Sequence, residues 1–545
     1  MRSGFLLYIL FFSLMILSAC GSKTNDDSAV FRYNENAGIT SLDPAFARGL
    51  ENMWAVNQLF DGLIELDSNL HVAPLIASSW QISNGGKDYT FHLRDDVYFH
   101  TNILFGGDST RKVNANDFVY SFNRIVDEVI ASPGQWVFNQ VDFANDSGFV
   151  ALDESTFRIR LKSTFPPFLS MLSMQYCNVV PKEAIDYYGR DFRSNPVGTG
   201  PFRKAFWIEN VSLIFHRNLG FWESDGAQMP LPYLDAVRID FVKDMSSEYL
   251  GLLKGQYDFM SGIHPAFKDE LLTPNGELDP NFADKLRFQR TPFIKTDYIG
   301  ILVDDSLPLS VNHPLHDVRI RQALNYGLDR AEMVKFLRNN SVFPATHGFI
   351  PQGLPGYDES REYGYSYDPE KAAALLKEAG FENGEGLVEI SLSTTADYVD
   401  LCEYMQHAYG KLGIKIAIDV LPTSTQREYV AKSKVMAFRK SWLADYADAE
   451  NFLGLFYSEN FCPQGPNYTH FASQEFDSLF VQARQTTSEA LRADMYARMD
   501  SIVMSEAPII PLFYDQVSHF VRHEVRGLQT NAINMLDLKR VRKGK

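Results

Sequence analysis

The chain has 545 residues, 45% of them hydrophobic and 13% aromatic, which excludes a single small domain and a disordered chain and predicts several packed units around sizeable cores. Lysine and arginine number 51 against 68 aspartate and glutamate, a formal charge of −17, so nucleic acid and anionic membrane surfaces are poor partners for the molecule as a whole. The basic run Lys539-Arg540-Val541-Arg542-Lys543-Gly544-Lys545 opposes that charge and is expected to be a solvated, frayed end without function.

At the N-terminus, Arg2 precedes an apolar run from Phe5 to Leu17 broken only by Ser13, and then Ser18-Ala19-Cys20-Gly21. This is the order of an export signal, with too few apolar residues to stay as a spanning helix. Leu17-Ser18-Ala19-Cys20 resembles the bacterial lipobox, so residues 1–19 are expected to be a signal peptide, Cys20 the lipidated new terminus, and residues 20–29 a flexible tether. A plain signal peptide with a chance cysteine is the competing reading. Cys177, Cys402 and Cys462 then remain without CxxC spacing, which indicates neither a zinc site nor a disulfide framework. Each is expected as a small buried hydrophobe, and at most one disulfide can form.

Farther along, period-two alternation predicts strands at Tyr89-Phe91-Leu93, Phe157-Ile159-Leu161, Val237-Ile239-Phe241 and Ile414-Ile416-Ile418-Val420. Helical stripes lie among them, at Ile320, Ala323, Leu324, Gly327 and Leu328, and at Phe476, Leu479, Phe480 and Ala483. Asp329 with Glu332 reads as a capping-box start, and Asp368-Pro369 opens a helix that Gly380 ends. The intermixing predicts an α/β protein of more than one lobe. No HExxH, GxSxG, GxxxxGK[ST] or GxGxxG is present; Gly198-Thr199-Gly200 has Arg203 where a third glycine is needed. Asp445, Asp448 and Glu450 could form an acid–base group, but such a run is usually a solvated loop. No catalytic residue, metal site or cofactor is predicted.

Several segments, in order, resemble the bacterial extracellular solute-binding proteins of the peptide type, family 5. They are Ser41-Leu42-Asp43-Pro44, Leu59-Phe60-Asp61-Gly62-Leu63, Ala73 to Trp80, Tyr89 to Arg94, Asn116 to Phe122, Gly198 to Phe202, Asp317 to Leu324, and Asp368-Pro369 through Ala379-Gly380. The resemblance implies a two-lobed, type II periplasmic-binding-protein-like fold with an inserted domain. Residues 30–60, 186–290 and 508–545 would form one lobe, 61–185 the insert and 291–507 the other lobe. It also implies a monomeric, non-enzymatic lipoprotein that delivers peptides to the permease of an ABC importer. Another solute, such as a nickel chelate, haem or an oligosaccharide, is the alternative within the fold, and an exported hydrolase the alternative outside it.

The same resemblance carries a Trp-x-Ala-Asp-Tyr segment that borders the cleft, here Trp442-Leu443-Ala444-Asp445-Tyr446. It puts Asp445 against a peptide ammonium and Arg439 against a peptide carboxylate. A helix cap or loop acid is the competing role for Asp445, and an internal salt bridge for Arg439. Arg48-Gly49-Leu50 matches a stretch that presents extended backbone to the peptide. Arg48 departs from the acid that the oligopeptide-binding pattern carries there. Trp442, Tyr298 and Trp54 are candidates for the pocket wall, with core packing as the competing role.

Overall fold

The computed structural model describes residues 29–106, 109–144, 148–361 and 363–544. The expected signal peptide, Cys20 and all but the last residue of the tether lie outside the described residues.

Two long antiparallel strands, Leu286–Ile301 and Ile509–Arg522, run through the middle of an eleven-stranded sheet. Beyond Ile509–Arg522 the sheet continues through Phe259–Ser261, Val30–Asn34, Ala236–Asp240, Ser212–Arg217 and Phe202–Ile208; beyond Leu286–Ile301 it continues through Ala437–Leu443, Ile390–Thr394 and Ile416–Val420. The register of the two long strands breaks between Pro292 and Thr296 and again between Asp297 and Tyr298. Proline removes a ladder donor and a bulge bends and twists a strand, so the break falls where the ribbon passes from one set of strands to the other.

A separate four-stranded antiparallel sheet holds Ala77–Ser83, Asp88–Leu93, Thr156–Arg160 and Phe149–Ala151. Tyr89, Phe91 and Leu93 are buried as the alternation predicts. The helix Ala115–Val126, opened by a reciprocal capping box between Asn114 and Asp117, packs Phe118 and Phe122 against Phe157. This core is continuous with the one around Phe31, Tyr33 and Ile239. Segment 291–507 has cores of its own, around Leu324, Leu392 and Met405 and around Phe452, Phe476 and Tyr496.

The helical stripes follow the caps. Asp317 accepts from the Arg319 N–H to open Val318–Tyr326, and Gly327 closes that helix as its C-cap instead of lying inside the stripe. Asp368 caps Pro369–Glu378, and Gly380 takes φ +92° just beyond its end.

Two sequence expectations are corrected here. The basic terminus is docked: Lys539 pairs with Glu65 at 2.9 Å and Glu223 at 3.1 Å, Lys543 pairs with Asp258 at 2.9 Å, and Arg542–Lys543 forms a strand with Val525–Arg526. Facing carboxylates, invisible in the local run, hold the cations in place. Asp448 and Glu450 likewise do not lie in a solvated loop, since both are buried and paired, Asp448 with Arg492 at 3.5 Å and Glu450 with Arg484 at 3.1 Å. Among the described residues no helix is long and apolar enough to cross a membrane.

Candidate functional site

A cavity of about 630 Å³ opens between the two sets of strands. Arg48, Gly49, Leu50 and Met53 line it where the chain enters the helix Leu50–Leu59. Trp136, Gln175 and Tyr176 come from the segment around the small sheet, and Leu443, Ala444, Asp445 and Tyr446 from the end of the strand Ala437–Leu443. The rings of Trp136 and Tyr446, from the two sides, are 6.2 Å apart. A second hollow of about 610 Å³ shares Leu66, Ser173, Gln175, Ile533 and Met535 with the first and extends toward Lys539 and Arg540.

Asp445 is placed by its neighbours. The Ala444 N–H donates to the Ile294 carbonyl at 3.0 Å, the last such bond before the chain turns out of the sheet. Asn451 then holds the turn: its side-chain oxygen accepts from the Trp442 indole at 2.9 Å and from the Asp445 N–H at 3.2 Å, and its amide donates to the Asp445 carboxylate at 3.2 Å. The carboxylate keeps solvent contact through the cavity mouth. Confinement by the walls raises its pKa, and the Asn451 hydrogen bond partly opposes that.

Arg48 supplies the opposite charge. Its guanidinium has no ion-pair or hydrogen-bond partner among the described residues. Its carbonyl accepts from the Asn52 amide at 2.8 Å, and the Gly49 carbonyl accepts from the Met53 N–H at 3.0 Å. The Arg48 N–H in turn donates to the Phe46 carbonyl at 2.7 Å, so both polar backbone groups of Arg48 are used within the protein, which narrows the ladder expected from the sequence. Gly49 sits at φ +86°, a conformation that side chains resist, and so lets the chain turn into the helix. Tyr176 lies near both charges; burial first, with Asp445 adding and Arg48 opposing, pushes its hydroxyl up to about 12. The ring fits because Gly134 has no side chain, a Cβ there falling 2.4 Å from Tyr176 Cγ.

The structure thus brings Arg48, Gly49, Leu50, Leu443, Ala444 and Asp445 to one cavity and sends the other sequence candidates elsewhere. Arg439, 9% exposed, is ion-paired with the buried Asp297 and stacks on the Tyr398 ring with its guanidinium carbon 3.1 Å from the centroid. Its place on the strand turns it inward, so it occupies the internal salt bridge and does not line the cavity. Tyr298, 2% exposed, packs edge-on against Phe349 at 5.2 Å. Trp442 and Trp54 stand behind the wall, Trp442 tied to Asn451 and Trp54 donating to the Asn534 carbonyl at 2.6 Å. Sequence reading missed Asn451, Trp136, Gln175 and Tyr176; only the spacing of Asn451, six residues past Asp445, hinted at a local partner. No group of three or more metal-ligating side chains occurs among the described residues.

The sequence profile of the bacterial extracellular solute-binding proteins, family 5 Middle, matches residues 71–461. The dipeptide-binding protein of Escherichia coli K12 is 27% identical over 86% of each chain, and the heme-binding protein A of Haemophilus influenzae 28% over 91% of each. In fold, the chain is similar to the periplasmic binding protein DppA from Helicobacter pylori in complex with the peptide STSA, with a TM-score of 0.75, 24% identity, and coverage of 95% of this chain and 98% of that one. With the profile spanning more than half its length, the chain belongs to the bacterial extracellular solute-binding proteins of family 5.

Proposed function

We propose that this solute-binding protein captures short peptides in the cavity and passes them to the membrane permease of an ABC importer, held at the membrane by lipid on Cys20. One observation carries the peptide reading: a single cavity is lined by Asp445, just past the strand Ala437–Leu443, and by Arg48, whose guanidinium has no ion-pair or hydrogen-bond partner among the described residues. Those charges complement the ammonium and carboxylate of a zwitterion, and Arg presents a fork matched to a carboxylate. Between them the lining is apolar and adaptable, with Met53, Trp136, Ile533 and Met535, which suits ligands that share a backbone and differ in side chains. The dipeptide-binding relative and the peptide-bound structural neighbour support the same reading.

Mass spectrometry of whatever copurifies with the protein tests the proposal. A mixture of short peptides, and a rise in melting temperature when a peptide pool is added back to stripped protein, is the expected result. Haem, a nickel chelate or an oligosaccharide as the sole species, with no thermal response to peptides, would overturn it.

A further inference from the structure

Away from the cleft, four side chains from three separate segments converge. Cys462 Sγ lies 3.3 Å from His470 Nε2 and 3.3 Å from Ser433 Oγ, and Ser433 Oγ lies 3.1 Å from the same imidazole nitrogen. His470 Nδ1 faces Asp304 Oδ2 at 3.0 Å. Nothing in solute binding uses this group. The arrangement is that of a nucleophile, a base on one ring nitrogen and a carboxylate orienting the other. The imidazole is further fixed by stacking on Phe461, the rings 4.6 Å apart and nearly parallel. Ser433 and His470 both hold positive φ, at +50° and +52°. Non-glycine residues adopt that conformation at a cost, and outliers of this kind gather at functional sites.

The other two described cysteines lack such surroundings. Cys177 and Cys402 are fully buried, and burial raises the thiol pKa of each, that of Cys402 to about 11. Burial acts on Cys462 in the same sense, but hydrogen bonds to His470 and Ser433 outweigh it and the net shift is downward. His470 shifts upward, by its bond to Cys462 first and by Asp304 against desolvation. Lys440 and Tyr468 are the other titratable groups close to the sulfur. Cys462 itself is only 4% exposed, under a turn whose Pro463 and Gln464 are exposed. A reagent that reaches it must be about the size of water.

We propose that Cys462 is a peroxide-reactive thiol, a modification site in which His470 holds the thiolate and returns a proton while Asp304 fixes the ring. The thiolate attacks one peroxide oxygen, the S–O bond forms as the O–O bond breaks, and the departing hydroxide takes the Nε2 proton of His470 to leave as water. Sulfur is oxidised by two electrons to sulfenic acid, hydrogen peroxide is the oxidant, and no second described cysteine is near enough to form a disulfide.

The test exposes the folded, full-length protein to hydrogen peroxide at about pH 6, where an ordinary thiol is mostly protonated, removes the peroxide with catalase at timed intervals, and unfolds the protein in dimedone so that the label reaches a buried sulfenic acid. Peptides carrying Cys177, Cys402 and Cys462 are then read separately by mass spectrometry. Label is expected on Cys462 at least roughly tenfold faster than on the other two, with a similar loss of rate in His470→Ala and a smaller one in Asp304→Asn. Circular dichroism checks that each variant is folded, and if His470→Ala is not, Asp304→Asn with an unchanged melt decides. Native Cys462 as inert as Cys402, or a folded variant that reacts as fast as wild type, would overturn the proposal.

Discussion

Asn451 and Asp445 are joined twice, the Asn451 oxygen accepting from the Asp445 N–H and the Asn451 amide donating to the Asp445 carboxylate, both at 3.2 Å. The carboxylate at the cleft is therefore aimed by a residue that need not touch a ligand. Asn451→Ala should leave the fold intact and weaken peptide binding by about 1–2 kcal/mol, the scale of a hydrogen bond to a charged group. Calorimetry on the variant checks this, and unchanged affinity would show that the carboxylate is positioned without Asn451.

The role of Asp445 itself is read by a cycle. Asp445→Ala should weaken binding of a free peptide by roughly 2–5 kcal/mol if its ammonium meets the carboxylate inside a closed cleft, against at most about 1 for an exposed pair. N-acetylated peptides should bind wild type poorly and be indifferent to the substitution, and the four affinities give the coupling directly.

Arg48 makes the complementary prediction for the other end of the ligand. Arg48→Ala should cost about 1–3 kcal/mol for free-acid peptides and little for C-amidated ones, because only the carboxylate uses the charge-assisted bond. Equal losses for both kinds of peptide would assign Arg48 to wall packing.

A pH effect on stability arises at Asp500. This residue on the helix Glu489–Glu506 is 1% exposed and accepts from the Phe349 N–H at 2.9 Å and the Ile350 N–H at 3.2 Å. Burial nevertheless pushes it up to about 6. A carboxyl raised on folding favours the folded state when protonated, so its contribution is full below the unfolded value near 4 and is lost as pH rises through about 6. The loss amounts to about 3 kcal/mol. Burial also pushes Asp61 up to about 6 and Glu35 up to about 7, so denaturant titrations across that window should show a fall in both proteins that is smaller in Asp500→Asn by the Asp500 share.

Anchoring is tested at Cys20. If residues 1–19 are a cleaved signal peptide, Cys20→Ser should block lipidation and release the processed protein from the membrane fraction, because no helix among the described residues is long and apolar enough to cross a membrane. A correctly processed variant that stays with membranes would count against the lipobox reading.

Local chemistry in the sequence determined much of this protein. Alternation of period two placed Tyr89, Phe91 and Leu93 on one strand face, Asp329 and Asp368 marked helix starts, and ordered family segments identified a solute-binding protein. Such signals survive because they act within a few residues of chain. The pairing of distant segments was decided only by tertiary structure. Arg48, just before the helix Leu50–Leu59, and Asp445, just past the strand Ala437–Leu443, line one cavity although almost four hundred residues of chain separate them. Arg439, six residues before Asp445, goes instead to Asp297, since Arg439 lies within the strand Ala437–Leu443, diagonal to Asp297 on the paired long strand, whereas Asp445 lies past that strand's end. The basic terminus and the Cys462–His470 pair follow the same rule: their partners are carboxylates and rings brought together by the fold, and desolvation by that fold sets what their charges do.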